Sequence, residues 1–212
     1  MLLLKAATVA RHHGQVISPM VQRRCAGSCD TMTISSMPRR QLTTSRLVLR
    51  PTSAADADRA FDIQSDWAVT RMLSMASFPP DRDEIGRWFA DHRREWAAGE
   101  AFRFAVERGG RFIGLVDVDE VRGGDGELGY WYEQPVWGQG YAFEAAKAIV
   151  RFAFDEVGLS RLRSGHAADN AASGKVLLKL GFQPLDTVQR RSRSRGEDIM
   201  QCRYVLANPA RS

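Results

Sequence analysis

"VWGQGYAFEAAKAIVRFAF" runs from Val136 to Phe154. Its second part reads as a helix, and its first part sets Gly138 and Gly140 directly ahead of that helix. Glycine loses more backbone entropy on ordering than any other residue, so two at a helix entrance mark a required backbone shape. The first-turn amides of a helix lack intrahelical partners, and the helix dipole adds about half a positive charge there. A glycine loop at this place therefore suits an anion such as phosphate. "WGQG" lacks the G-K-[ST] ending of a Walker loop, and Phe143 stands where a dinucleotide fold would need its third glycine. Taken alone, the glycine pair also fits a plain tight turn between strand and helix.

The flanking pattern is regular from Ser45 onward. "RLVLRP" (Arg46 to Pro51) alternates as a strand does. "TSAADADRAFDIQ" and "PPDRDEIGRWFADHRREWAAGE" read as helices. In the second, Ile85, Trp88, Phe89, His92 and Trp96 share one face, and Gly99 can end it. These aromatic residues and His92 read as packing residues. "FRFAVER" and "RFIGLVDVDEV" flank Gly109-Gly110, the signature of a hairpin with a primed turn. "GELGYWYEQ" is a further strand before the quoted helix, which is expected from about Gly140 to Val157. Then come a strand, "SRLRSGHA", and a helix, "NAASGKVLLKLG", with Asn170 as N-cap and Gly181 as its stop. "FQPLDTVQ" and "DIMQCRYVL" close the chain as strands around "RRSRSRGE", whose arginines Arg190, Arg191, Arg193 and Arg195 read as a solvated turn. The order is β-α-α-β-β-β-α-β-α-β-β.

The chain has 212 residues and a formal charge of +5. Residues 1–50 carry eight Lys/Arg and one acid, Asp30, whereas the remainder has 22 basic and 24 acidic residues. The basic character belongs to the N-terminal segment, which weakens a nucleic-acid-binding reading. Residues 1–42 lack periodicity and are rich in Ser, Thr and Arg. They are expected to be a disordered extension: either a targeting signal, or an over-extended start with Met20, Met32 or Met37 as the first residue. The expected domain spans 44–206, with 207–212 as a tail. Cys25, Cys29 and Cys202 form no C-x-x-C pair, and His12, His13, His92 and His166 show no metal spacing, so neither disulfide framework nor metal is expected. No apolar run approaches the ~18 residues of a membrane helix, and a cytoplasmic location is expected.

Two motifs carry a resemblance. "LGYWYEQPVWGQGYAFEA" (Leu128 to Ala145) resembles the pyrophosphate-binding segment of the GNAT superfamily of acetyl-CoA-dependent N-acetyltransferases, in particular the RimJ/RimL type. "NAASGKVLLKLGF" (Asn170 to Phe182) resembles that type's N-x-x-S-x-x-V/L-x-x-K-x-G-F segment, and "TSRLVLRP" looks like its opening strand. Pro135 departs from the Gln or Arg often found three residues before the first glycine.

The resemblance implies an α/β (α+β) GNAT fold: a mixed, mostly antiparallel sheet with helices on both faces and a splayed strand pair, "ELGYWYE" and "SRLRSGHA". The acetyl-pantetheine arm would lie in the gap along Tyr130, Trp131 and Tyr132. The pyrophosphate would rest on amides of Gly138, Gln139, Gly140, Tyr141, Ala142 and Phe143. Asn170 would contact the pantetheine while capping its helix. Trp131 and Trp137 would line the groove.

The implied reaction is attack of a neutral amine on the thioester, through a tetrahedral oxyanion that expels the CoA thiolate. A free amine is mostly protonated at pH 7, so a carboxylate acting through water is useful. Glu127, Asp117 and Glu144 are candidates, Glu127 first. Leu177 stands where many GNAT enzymes carry a proton-donating tyrosine, which leaves Ser173 as the candidate donor. His166 is placed to touch substrate. The expected acceptor is a protein N-terminal α-amine. A small amine (aminoglycoside, polyamine or amino acid) is the alternative, with a non-catalytic CoA- or RNA-binding module behind it. The partner is thus an amine substrate, with no membrane or nucleic acid, and the protein is expected to be a monomer or homodimer.

Overall fold

The computed structural model describes residues 37–211. The extension expected over 1–42 lies outside the described residues as far as residue 36. Eight strands form one sheet in the order β1-β2-β3-β4-β5-β6-β8-β7. They are β1 (Leu42–Thr43), β2 (Val48–Pro51), β3 (Phe102–Arg108), β4 (Arg111–Arg122), β5 (Asp125–Tyr132), β6 (Arg161–Ala167), β7 (Gln183–Ser192) and β8 (Glu197–Ala207). Neighbours are antiparallel except β5 and β6, which run parallel. The helices are α1 (Ala57–Gln64), α2 (Trp67–Thr70), α3 (Arg82–Ala98), α4 (Tyr141–Arg151) and α5 (Ala171–Lys179).

Side-chain alternation along the strands builds a core on each face. Leu128 and Tyr132 of β5, Val116 and Val118 of β4 and Leu162 of β6 pack with Tyr141, Ala145, Ala146 and Ile149 of α4 and Leu177 of α5. On the other face Leu115, Ala105 and Trp131 pack with Ala60 and Ile63 of α1 and Ile85, Trp88 and Phe89 of α3. Each fully buried large side chain contributes about 1.5–3 kcal/mol. The predicted stripe of α3 is buried throughout, His92 included. Asp81 caps its start by accepting from the Glu84 amide at 3.0 Å. Gly99 ends it in the left-handed region at φ 69°. The β3–β4 turn has Gly109 and Gly110 at φ 58° and 76°, as a primed turn requires.

Four expectations need correction. The short β1 and α2 carry too few residues to show periodicity and escape sequence reading. Residues 37–43, assigned to the extension or its boundary, belong to the fold. Trp96 Nε1 donates to the Met37 carbonyl at 3.0 Å, Arg40 pairs with Glu156 at 2.6 Å, and β1 pairs with β2. The expected tail is also built in. β8 runs to Ala207, and Asn208 is buried, donating to the Leu159 carbonyl at 2.9 Å. The arginine turn is not simply solvated either. Arg193 pairs with buried Glu84, and Arg195 grips Asp169 through two bonds of 2.9 Å.

A chain starting at Thr44 strips the acceptor from Trp96 Nε1 and the packing of Met37 and Leu42. It is expected to be about 2 kcal/mol less stable than a chain starting at Met37, or roughly 4–8 °C lower in Tm. Coincident melting curves for the two would show that residues 37–43 contribute nothing.

Candidate active site

The β5–β6 ladder has three pairs: Asp125↔Arg161, Gly126↔Leu162 and Glu127↔Arg163. At the next position the Ser164 hydroxyl donates to the Leu128 carbonyl at 2.8 Å. No ladder pair follows, and the strands part into the predicted splay. In a strand, alternate residues turn their peptide groups to the same side. The Leu128 carbonyl faces β6, so the peptide group of Tyr130 faces the gap. Such groups require a partner when water is excluded.

At the mouth of this gap lies the glycine loop. Trp137 is half-exposed, and its Nε1 donates to the Tyr132 carbonyl at 2.9 Å. Gly138 and Gly140 sit at φ 76° and 82°, where a Cβ is strained. Space within the protein does not demand them. A Cβ at Gly138 would meet nothing within 4 Å, and one at Gly140 only Arg46 Nη2 at 3.5 Å. Gly140 is the N-cap of α4 and supplies no side-chain cap. The glycine loop thus leaves first-turn amides without a side-chain acceptor, which is what a phosphate ligand needs. Arg46, ion-paired with Glu144 at 2.7 Å, braces the loop by donating to the Gln139 carbonyl at 3.1 Å and stacking over Tyr141 at 4.5 Å. Lys179 lies 4.2 Å from the Phe143 ring centre.

The first turn of α5 closes the gap from one face. Asn170 Oδ1 accepts from the Ser173 amide at 3.3 Å, as an N-cap should. Ser173 Oγ lies 2.8 Å from the Tyr130 hydroxyl, so β5 and α5 touch across the splay. Burial pushes the Tyr130 phenol up to about 12, and it remains a neutral hydroxyl at pH 7. Gly174 rests on His166: a Cβ there would come 2.6 Å from its Nε2. His166 Nδ1 donates to the Ala167 carbonyl at 2.8 Å, which leaves Nε2 to accept from Tyr204 at 3.3 Å. Leu177, at the position of the absent tyrosine, is fully buried.

Glu127, Gly129 and Trp131 point to the opposite face. Trp131 does not line the groove with its indole, which packs against Phe112 at 6.0 Å in the α1–α3 core. Asp117 lies over the strand at the splay, its Oδ1 2.5 Å from the Cβ position of Gly129. Its other oxygen binds the buried Arg103, which also holds Asp119 at 3.2 Å and Glu95 at 3.0 Å. Glu144 is not available as a base. It accepts from Thr44 Oγ1 at 2.6 Å, Ser45 Oγ at 3.0 Å, and the Arg46 amide and Nε at 2.9 and 2.7 Å. It ties α4 to the β1–β2 turn. The Tyr130–Ser173 contact, the Ser164 hydroxyl at the splay and the Arg103 cluster were not found from sequence. Strand alternation through Leu128 and Tyr130 was the available signal for the first.

The β7–β8 turn and the α2–α3 loop form a rim beside α5. The Arg193 amide donates to the Ser74 carbonyl at 2.7 Å, and Arg195 Nε to the Arg71 carbonyl at 2.7 Å. Arg71 shares Asp169 with Arg195 at 2.6 Å. Among the described residues, no helix is long and apolar enough to cross a membrane.

Comparison with known proteins agrees with this geometry. Residues 46–183 match the acetyltransferase (GNAT) domain family. The chain is 30% identical over 148 residues to the uncharacterized N-acetyltransferase YoaA of Bacillus subtilis, covering 67% of this chain and 82% of that one. It is 29% identical over 165 residues to the [ribosomal protein uS5]-alanine N-acetyltransferase of Escherichia coli, covering 70% and 81%. RimJ of Mycobacterium smegmatis, solved in complex with CoA-disulfide, has the same fold at TM-score 0.71 and 20% identity, covering 80% of this chain and 88% of that one. The chain belongs to the GNAT acetyltransferase family and is an acetyl-CoA-dependent N-acetyltransferase of that type.

Glu144 also supplies a pH test. Burial alone would raise its carboxyl, but the hydrogen bonds from Thr44, Arg46 and Ser45 outweigh burial and lower it to about 2, from an ordinary 4.5. A depressed folded-state value stabilises the ionised form. The contribution is complete above about pH 4.5 and is lost as pH falls toward 2. Wild type is expected to exceed Glu144→Gln in stability at pH 7, with the gap closing on acidification through that window. A gap independent of pH would mean that the charge plays no part.

Proposed function

We propose that the chain acetylates the α-amine of a protein N-terminus, with the acetyl-CoA thioester held where β5 and β6 part. The observation that carries the reading is the ladder ending at Glu127 and Arg163, with the Ser164 hydroxyl on the Leu128 carbonyl just beyond, a glycine loop at the mouth and Ser173 across the gap. The pantetheine amides would pair with the unpaired peptide edge at Tyr130, in the manner of an added strand. Amides from Gly138 to Phe143 would take the pyrophosphate, and Asn170 would meet the pantetheine. The E. coli relative named for the uS5 N-terminal alanine supports the choice of acceptor. An acceptor of this kind fits a cytoplasmic enzyme.

The chemistry follows from placement. Glu127 takes the ammonium proton through a water, and the neutral amine attacks the thioester carbon. Charge grows on the carbonyl oxygen, and the Tyr130 N–H, facing the gap, is the donor placed to meet it. As the C–S bond breaks, Ser173 gives its proton to the thiolate. The Tyr130 hydroxyl orients the Ser173 hydroxyl, and the second proton shed by the nitrogen of the tetrahedral adduct restores this pair, so neither oxygen is left charged. A thiolate leaves readily, so this help belongs at the low end of general acid catalysis.

Thiol release is to be measured against N-terminal peptides of ribosomal proteins and against polyamines, aminoglycosides and free amino acids. Peptides are expected to turn over fastest, and a preference for a small amine would replace the acceptor assignment. With the best acceptor, Ser173→Ala is expected to lower kcat by roughly ten- to a hundredfold, with little change in acetyl-CoA affinity. A kcat within about twofold of wild type would reduce Ser173 to a packing residue.

A further inference from the structure

Acetyl transfer from acetyl-CoA to an ammonium yields an amide, CoA-SH and one proton. The ammonium sheds a proton to become nucleophilic, and the tetrahedral adduct sheds a second. The thiolate keeps one, so one must reach bulk water in each turnover. With CoA and acceptor both bound at the open part of the splay, a proton that leaves by the closed end avoids both ligands.

The closed end of the splay offers another route. Glu127 sits on the last ladder pair of β5, and its cross-strand partner on β4 is Asp119. Directly opposed strand residues on one face have Cβ atoms about 4.5–5.5 Å apart, within reach of two carboxylates or of one shared water. Asp119 is buried and borders a cavity of about 290 Å³, which Glu95, Glu100, Arg103, Glu120 and Arg122 also line. This cavity lies at the Arg122 end of β4, away from the open end at Tyr132. Immediately after Asp119 the β4–β5 register shifts, and Glu120 takes φ 50°. Such a value is uncommon outside glycine. The bulge interrupts the ladder beside the cavity instead of sealing Asp119 behind it.

The charged groups around Asp119 suit a proton carrier. Arg103 reaches it from β3, Glu95 meets the same guanidinium from α3, Asp117 lies two residues along β4, and Glu127 faces it from β5. Burial first, then Asp117 and Glu127, push its carboxyl well above the usual carboxylate range, and Arg103 only partly offsets this.

We propose that Asp119 receives the acceptor's proton from Glu127 and passes it to water in the cavity, so that the proton leaves through the closed end of the splay. The proton moves from the ammonium through water to the Glu127 carboxylate, then to the Asp119 carboxylate, then to solvent. No electron pair is transferred beyond these proton exchanges. Asp119 acts through Glu127 and does not touch substrate. The inference rests on the acetyl-transfer reading with Glu127 as base.

Asp119→Asn keeps shape and hydrogen bonding toward Arg103 but cannot carry a proton. At saturating peptide and acetyl-CoA, kcat is expected to fall by about tenfold or more, with acetyl-CoA affinity by calorimetry and peptide KM nearly unchanged. Imidazole, small enough for the cavity, should restore part of the rate, and Asp119→Glu should retain most of it. Wild-type kcat should decline on acidification at a pH above the ordinary carboxylate range, because a protonated Asp119 cannot accept. An Asp119→Asn kcat within about twofold of wild type, with the same acid limb, would overturn the relay. If that variant does not fold, a wild-type kcat that stays flat from roughly pH 5.5 to 8 overturns it equally. Wild type that releases no thiol with any amine overturns the acetyl-transfer reading itself, whereas a slow variant beside an active wild type bears on the relay alone.

Discussion

The β5–β6 ladder stops after three pairs, and the site depends on that stop. A parallel pair in the middle of an eight-stranded sheet would ordinarily continue. Here the Ser164 hydroxyl occupies the Leu128 carbonyl, where a next ladder bond would form. Beyond it α5 holds the arms apart, with Ser173 against Tyr130 of one strand and Gly174 against His166 of the other. Peptide groups left in the gap are costly without partners. A ligand with amides spaced along a chain would satisfy them, and the proposed function makes the sheet's defect its binding site.

The surrounding structure keeps that defect from spreading. On one face α4 is pinned by Glu144, whose bonds to Thr44, Ser45 and Arg46 fix the glycine loop relative to the edge strands. On the other face Arg103 is fully buried among Glu95, Asp117 and Asp119. A buried ion cluster is a weak source of net stability but a strong constraint on arrangement, because removing one member strands the others. It orders the acidic side chains behind the splay.

Much of this was legible in the sequence because it rests on local chemistry. Gly109-Gly110, Gly99 and the Asn170 cap each specify a turn or helix end by themselves, and the apolar stripe of α3 appeared in full. Gly138 and Gly140 marked the loop, and Asn170 with Ser173 marked the facing helix. What was hidden depends on distant pairs. Glu144 looked like a free carboxylate, since its partners lie about a hundred residues earlier. Trp131 looked like a groove residue, although alternation sends its indole to the opposite face from Tyr130 and Tyr132. Arg193 and Arg195 looked solvated because Glu84 and Asp169, which hold them, sit on other elements. Charged side chains carry no periodicity that names their partners.

The central claim is that the glycine loop at the mouth of the splay holds the CoA pyrophosphate. Calorimetric titration of acetyl-CoA into wild type and Gly140→Val tests it most directly. Valine would strain a residue at φ 82° and place a branched side chain where the phosphate must approach. The account predicts saturable binding by wild type and an affinity lower by at least about 1–3 kcal/mol in the variant, the loss of charge-assisted hydrogen bonds. A folded Gly140→Val that binds acetyl-CoA as tightly as wild type would contradict it.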